Sequence, residues 1–191
     1  MTAPAAPQPR LCHAAPLLLL LLTALPAALA CHHVRPHEAT FASDSLRLLQ
    51  AMDPSPPPPC HHHHAPFFPE GTLLHIHHPQ QANVLALRIL QGLFGILSSP
   101  TTPHHWDARA HQQLLNNIQH HVQQLQQCLP ANGTLSQGQG PRNLLLHINK
   151  YFRHIQHFLH THNHSACAWD HVRLEARASF QHLHNLTRTM G

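Results

Sequence analysis

CAWDHVRLEARASFQHLHNL, residues 167–186, decides how the rest of the chain is read. Its apolar residues Trp169, Val172, Ala176, Phe180, Leu183 and Leu186 recur in steps of three and four, which lays one apolar stripe along a helix. Trp169 heads that stripe and is expected in the core. Asp170, Arg173, Arg177, Gln181 and His184 fall on the opposite side, with Asp170 and Arg173 at the spacing of helical neighbours. Cys167 gives the helix a covalent anchor at its start. The run combines a core face, a staple and a basic outer face, so it predicts a helix that holds a small fold together and also shows a surface to a partner.

Working back from this helix, the same periodicity recurs. In PRNLLLHINKYFRHIQHFL, from Pro141, the residues Leu145, Ile148, Phe152, Ile155 and Leu159 form a stripe, and Pro141 suits a first helical position. Trp106 to Leu129 places Ala110, Leu114, Ile118, Val122, Leu125 and Leu129 on one side, with Gln, Asn and His opposite. Between these two helices, Pro130 to Pro141 is a turn-rich loop. Gln80 to Leu97 is apolar almost all round, the mark of a helix buried on most sides. Gly92 and Gly95 each cost that helix about 1 kcal/mol against alanine, so packing must hold its end. Phe41 to Met52 reads as a first helix, capped by Ser43 or Asp44 and ended by Asp53-Pro54. The connection from 53 to about 79 contains Pro56 to Pro59, Cys60 and His61 to His64, and is long for a compact domain. Sustained period-two alternation is absent. The expectation is an all-α fold, a bundle of five helices in which the long second connection lets neighbours run parallel, as in the up-up-down-down topology of four-helix-bundle cytokines with a fifth helix and long crossover loops.

Residues 1–30 read as a secretory signal: Arg10 precedes an apolar run from Ala14 to Leu25, and Ala28 and Ala30 supply a small-residue cleavage site. The run is shorter than the roughly 20 residues of a spanning helix. The mature chain, 31–191, is expected to be a single soluble, monomeric helical domain. It keeps Cys31, Cys60, Cys128 and Cys167, an even number that implies two disulfides in an oxidising compartment. Four cysteines allow three pairings, among which the spacing does not choose. Three glycosylation sequons begin at Asn132, Asn163 and Asn185. Together with the leader they point to secretion.

The 25 histidines stand out against 11 Lys and Arg and 7 Asp and Glu, so net charge must climb steeply below roughly pH 6.5. The basic residues are scattered and not interleaved with aromatics, which argues against nucleic-acid binding. No catalytic constellation is present: the mature cysteines are committed to disulfides, no acidic pair shares a helix face, and no glycine-rich phosphate loop occurs. An enzyme is not expected, nor a cofactor. His61 to His64, and His157, His160 and His164 at helical spacing, raise the alternative of a secreted metal- or pH-responsive binding protein. A specific metal site needs fixed geometry and supporting partners, which a proline-flanked tract does not supply.

CAWDHVRLEARASF, the upstream YFRHIQHFL and the cysteine spacing resemble type I interferons, and LRILQGLFGILSSPTTPHHW and GPRNLLLHINKYF resemble the avian members in particular. The resemblance spans essentially the whole chain. It implies a secreted antiviral cytokine with disulfides Cys31–Cys128 and Cys60–Cys167, acting through a two-chain cell-surface receptor and JAK-STAT signalling. It further implies that the loop after Cys60 and the outer face of the last helix contact the higher-affinity receptor chain. Arg173 and Glu175 match that helix's motif, and Arg177 stands beside Ala178, where the family usually places a second basic residue. In the loop, His63 and His64 belong to the tract that replaces the family's leucine-and-charge segment, and Phe68 resumes the pattern.

Overall fold

The computed structural model describes residues 40–53, 66–69, 71, 76, 79–129 and 142–188. The expected leader, Cys31, Cys60, His61 to His64 and the Asn132 sequon lie outside them. The described residues form five helices and no strand: α1 (40–52), α2 (Pro79–Leu97), α3 (Ala108–Cys128), α4 (Arg142–Thr161) and α5 (Ala166–Arg188).

α2 is the hub, packing against α3, α4 and α5 as its all-round apolar character requires. Leu85, Ile89, Leu90 and Leu97 are fully buried along it. At Gly92 α2 approaches α4 closely, since a Cβ there would run into the Phe152 ring, whereas one at Gly95 would meet open space. α1 closes the bundle from the side. Phe41 stacks on His121 of α3 at 4.2 Å and lies edge-on to Phe180 of α5 at 6.0 Å. His121 is therefore buried, although its place among the polar residues of α3 predicted exposure.

α3 begins later than the periodicity predicts. Asp107 takes an extended conformation and its carboxylate accepts from Ala110 N at 2.7 Å, which satisfies one of the first turn's free N–H groups. Trp106 is thus outside the helix, buried and edge-on to Trp169 at 5.5 Å. Asp107 N also donates to Met52 O at 2.8 Å, joining the end of α1 to the start of α3.

α4 and α5 are linked by a tight turn in which Asn163 and His164 both have positive φ (49° and 50°). His164 N donates to Leu159 O at 2.8 Å, closing α4, and Ser165 Oγ accepts from Ala168 N at 3.3 Å, capping α5. The α5 stripe read from the sequence is buried along its whole length, from Trp169 to Leu186. α5 is also packed on both flanks of that stripe, by Ala168, Glu175 and Ser179 on one and by Asp170 and Arg173 on the other.

Candidate functional site

Residues 66–69 lie against α5. His171 Nε2–H donates to Pro66 O at 2.9 Å, which fixes the tautomer as far as that nitrogen is concerned. The His171 ring is edge-on to both Phe67 (5.7 Å) and Phe158 of α4 (5.2 Å). Phe68 turns inward: only 7% exposed, it stacks on His182 at 4.7 Å and meets the Tyr151 edge at 5.3 Å. Its neighbour Phe67 turns outward and is 75% exposed. One helical turn beyond His171 on the same face, Leu174 is 47% exposed, and Arg177 one turn further is exposed as well. The loop and the helix thus form one continuous surface with two apolar side chains and a cation.

Arg173 does not belong to that surface. It is 8% exposed and points inward, correcting the expectation of a solvent-facing guanidinium. Its Nη1 donates to the carbonyl of Asp53, and its Nη2 lies 3.5 Å from the Asp53 carboxylate and 3.7 Å from that of Asp170. His105 Nε2 lies 3.7 Å from the Asp53 carboxylate on the other side. Two buried carboxylates therefore share one guanidinium, as Coulomb attraction in a poorly solvated site requires. Burial raises the pKa of Asp170, Arg173 opposes that shift, and Asp53 adds to it. The cluster fixes the point where the chain leaves α1 for the long crossover.

Glu175 is also buried, 6% exposed, and accepts from Tyr151 Oη at 2.9 Å. Burial, with the Glu175 charge and its hydrogen bond added, holds the Tyr151 hydroxyl well above the usual phenol range. Both residues that matched the receptor-contact motif by sequence, Arg173 and Glu175, are thus withdrawn from the surface, as is Phe68. Arg177 is exposed as expected, and His63 and His64 lie outside the described residues. The sequence reading missed Phe67 and Leu174. The sign that α5 packs on its Glu175 flank was present in the small residues Ala168 and Ser179, which share that flank.

Cys128, at the end of α3, and Cys167, at the start of α5, are both disulfide-bonded. Asn163 and Asn185 are exposed. Among the described residues no three His, Cys, Asp or Glu side chains are grouped to hold a metal ion, and no helix is long and apolar enough to cross a membrane.

The family model of the interferon alpha/beta domain matches residues 34–190. The chain belongs to the interferon alpha/beta family. It is 50% identical to an interferon of Meleagris gallopavo over 98% of both chains, and 52% identical to interferon type B of Gallus gallus over 91% of this chain and 86% of that one. The resemblance to avian type I interferons is thereby borne out. The fold matches that of zebrafish interferon 1 with a TM-score of 0.65 at 16% identity, covering 78% of this chain and 94% of the fish protein. Family membership makes the chain a helical cytokine and not an enzyme.

Proposed function

We propose that the chain is secreted after loss of residues 1–30 and acts as a monomeric antiviral cytokine on a two-chain type I interferon receptor, signalling through JAK-STAT. Glycans on Asn132, Asn163 and Asn185, and disulfides Cys31–Cys128 and Cys60–Cys167, complete the reading. The observation that carries it is the joined surface of the 66–69 loop and α5, where Phe67, Leu174 and Arg177 stand exposed together in a family of cytokines. Exposed aromatics and arginines with an apolar neighbour are the residue types that dominate protein–protein contacts. Arg173 and Glu175 support this surface from beneath, by fixing the start of the crossover and the α4–α5 packing.

The test is protection of avian cells from viral killing, with STAT phosphorylation read in parallel. Phe67→Ala and Arg177→Glu, both at exposed positions, are each expected to raise the protective concentration about tenfold while leaving the thermal melt unchanged. Full potency of the Phe67→Ala/Arg177→Glu double variant would remove this surface from the receptor contact.

A further inference from the structure

The outer face of α4 carries a concentrated set of cations and imidazoles. His147, Lys150, Arg153, His154, His157 and His160 are all exposed. At 3.6 residues per turn they share an arc of about 140°, and at 1.5 Å per residue they extend over roughly 20 Å. Lys150 is the only lysine in the protein. No aspartate or glutamate occurs anywhere from residue 108 to residue 169.

Among the described residues, no carboxylate reaches this face from a neighbouring element either. α2 contains none, and its Arg88 bonds to Gln91 at 3.4 Å. On α5, Asp170 faces Arg173, Glu175 accepts from Tyr151, His171 is held by Pro66, and His182 stacks on Phe68. The remaining described acids are equally committed: Asp44 pairs with Arg47, Asp53 with Arg173, and Asp107 caps α3. The six side chains therefore present their charge to solvent without a described counter-ion. Two are a lysine and an arginine, and the other four are imidazoles, the side-chain type that serves as a proton switch near physiological pH.

We propose that this face of α4 docks a sulfated glycosaminoglycan and that acidification strengthens the attachment. A linear polyanion with closely repeated sulfates matches a long band of cations, which a flexible sugar chain can follow across the helix. Single-stranded nucleic acid fits less well, because no phenylalanine, tyrosine or tryptophan is exposed among the row to form the large stacking platform such sites use. An anionic membrane fits less well too, because the apolar side of α4 is committed to the core and Leu146 alone is left to insert.

The test uses the secreted, glycosylated protein with EDTA present, so that no metal bridges histidine to sulfate. Binding to immobilised heparin and to unsulfated heparosan is measured at about pH 7.4 and about pH 6. The affinity for heparin is expected to be about tenfold higher at the lower pH, because added positive charge on this face strengthens attraction to a dense anionic chain. Heparosan is expected not to retain the protein. The quadruple variant His147→Gln/His154→Gln/His157→Gln/His160→Gln should lose the pH dependence, and Lys150→Gln/Arg153→Gln should weaken binding at both pH values. All six positions are exposed, and an unchanged melt shows that the fold survives.

Equal heparin affinity at the two pH values would overturn the proposal. So would loss of the pH dependence on His61→Gln/His62→Gln/His63→Gln/His64→Gln with the α4 quadruple variant unaffected, since the proline-flanked tract would then be the site. Equal retention by phosphatidylserine vesicles or by single-stranded DNA would overturn the sulfated sugar as partner. Receptor signalling is read separately, so failure here leaves that reading untouched.

Discussion

Arg173 is the residue on which the end of α1, the start of the crossover and α5 converge. Replacing it by alanine leaves the Asp53 and Asp170 carboxylates buried without a cation between them. A cost of about 3–5 kcal/mol is expected, or a fall in melting temperature of roughly 10 °C for a domain of this size. Arg173→Lys should recover little, because one ammonium cannot serve two carboxylates and a carbonyl as a planar fork does. Asp170 makes a separate prediction about pH. Its pKa is raised in the fold, first by burial, so its contribution to stability is greatest below the unfolded carboxylate value and declines as pH rises through the folded one. Asp170→Asn removes that decline. Relative to wild type, the variant should therefore gain stability between about pH 3.5 and about pH 7, read from thermal melts at both. A gap that moves against the variant over that range would mean that attraction to Arg173 outweighs burial. None of this was legible in the sequence. Charged residues opposite an apolar stripe look solvent-facing until the tertiary structure brings a second element, here the end of α1, onto them.

Among the helices, α2 separates two glycines that look alike in sequence. Gly92→Ala should destabilise by about 1–3 kcal/mol, because its Cβ would meet the Phe152 ring and force α2 and α4 apart. Gly95→Ala should stabilise by about 0.5–1 kcal/mol, because its Cβ meets nothing and the helix gains propensity. Denaturant melts of the two variants test the pair, and changes of the same sign in both would show that α2 and α4 do not approach at Gly92. Local patterns carried most of the element-level information. The three-and-four periodicity located every helix, since each has one side that must be dry, and α5 was legible to within a residue or two of its ends. Periodicity failed at the start of α3, where Trp106 continues the apolar stripe but belongs to the preceding loop. The Asp107 side chain, by capping Ala110 N, sets the true boundary. His121 failed for another reason: its burial depends on Phe41, some eighty residues away in sequence, arriving to stack on it.

At the scale of the whole molecule, covalent staples add to what helix packing holds. α1 meets the rest through buried Leu49 and Met52, Phe41, the Met52 carbonyl and the Asp53–Arg173 cluster, and the crossover that follows it is rich in proline and histidine. Cys128 and Cys167 are both disulfide-bonded and sit at opposite ends of their helices, one closing α3 and the other opening α5. With Cys31 and Cys60 as partners, the proposed pairs Cys31–Cys128 and Cys60–Cys167 each close a loop of about a hundred residues. Loops of that length are worth up to about 4.7 kcal/mol through restriction of the unfolded chain. The second pair bears on function as well, since Cys60 lies in the segment that leads to Phe67, and Cys167 opens the helix that presents Leu174 and Arg177. A peptide map under non-reducing conditions is expected to join the Cys31 peptide to Cys128 and the Cys60 peptide to Cys167. Cys60→Ser/Cys167→Ser should then lower stability by about 2–5 kcal/mol and weaken antiviral protection beyond what the lost stability explains, because Phe67 would no longer be held beside α5. Cys31→Ser/Cys128→Ser should lower stability comparably while receptor potency of the folded fraction is retained. Equal losses of potency in both double variants, at matched folded fraction, would mean that the crossover is positioned by the His171–Pro66 and Phe68–His182 contacts alone, and that the staple serves only the unfolded state.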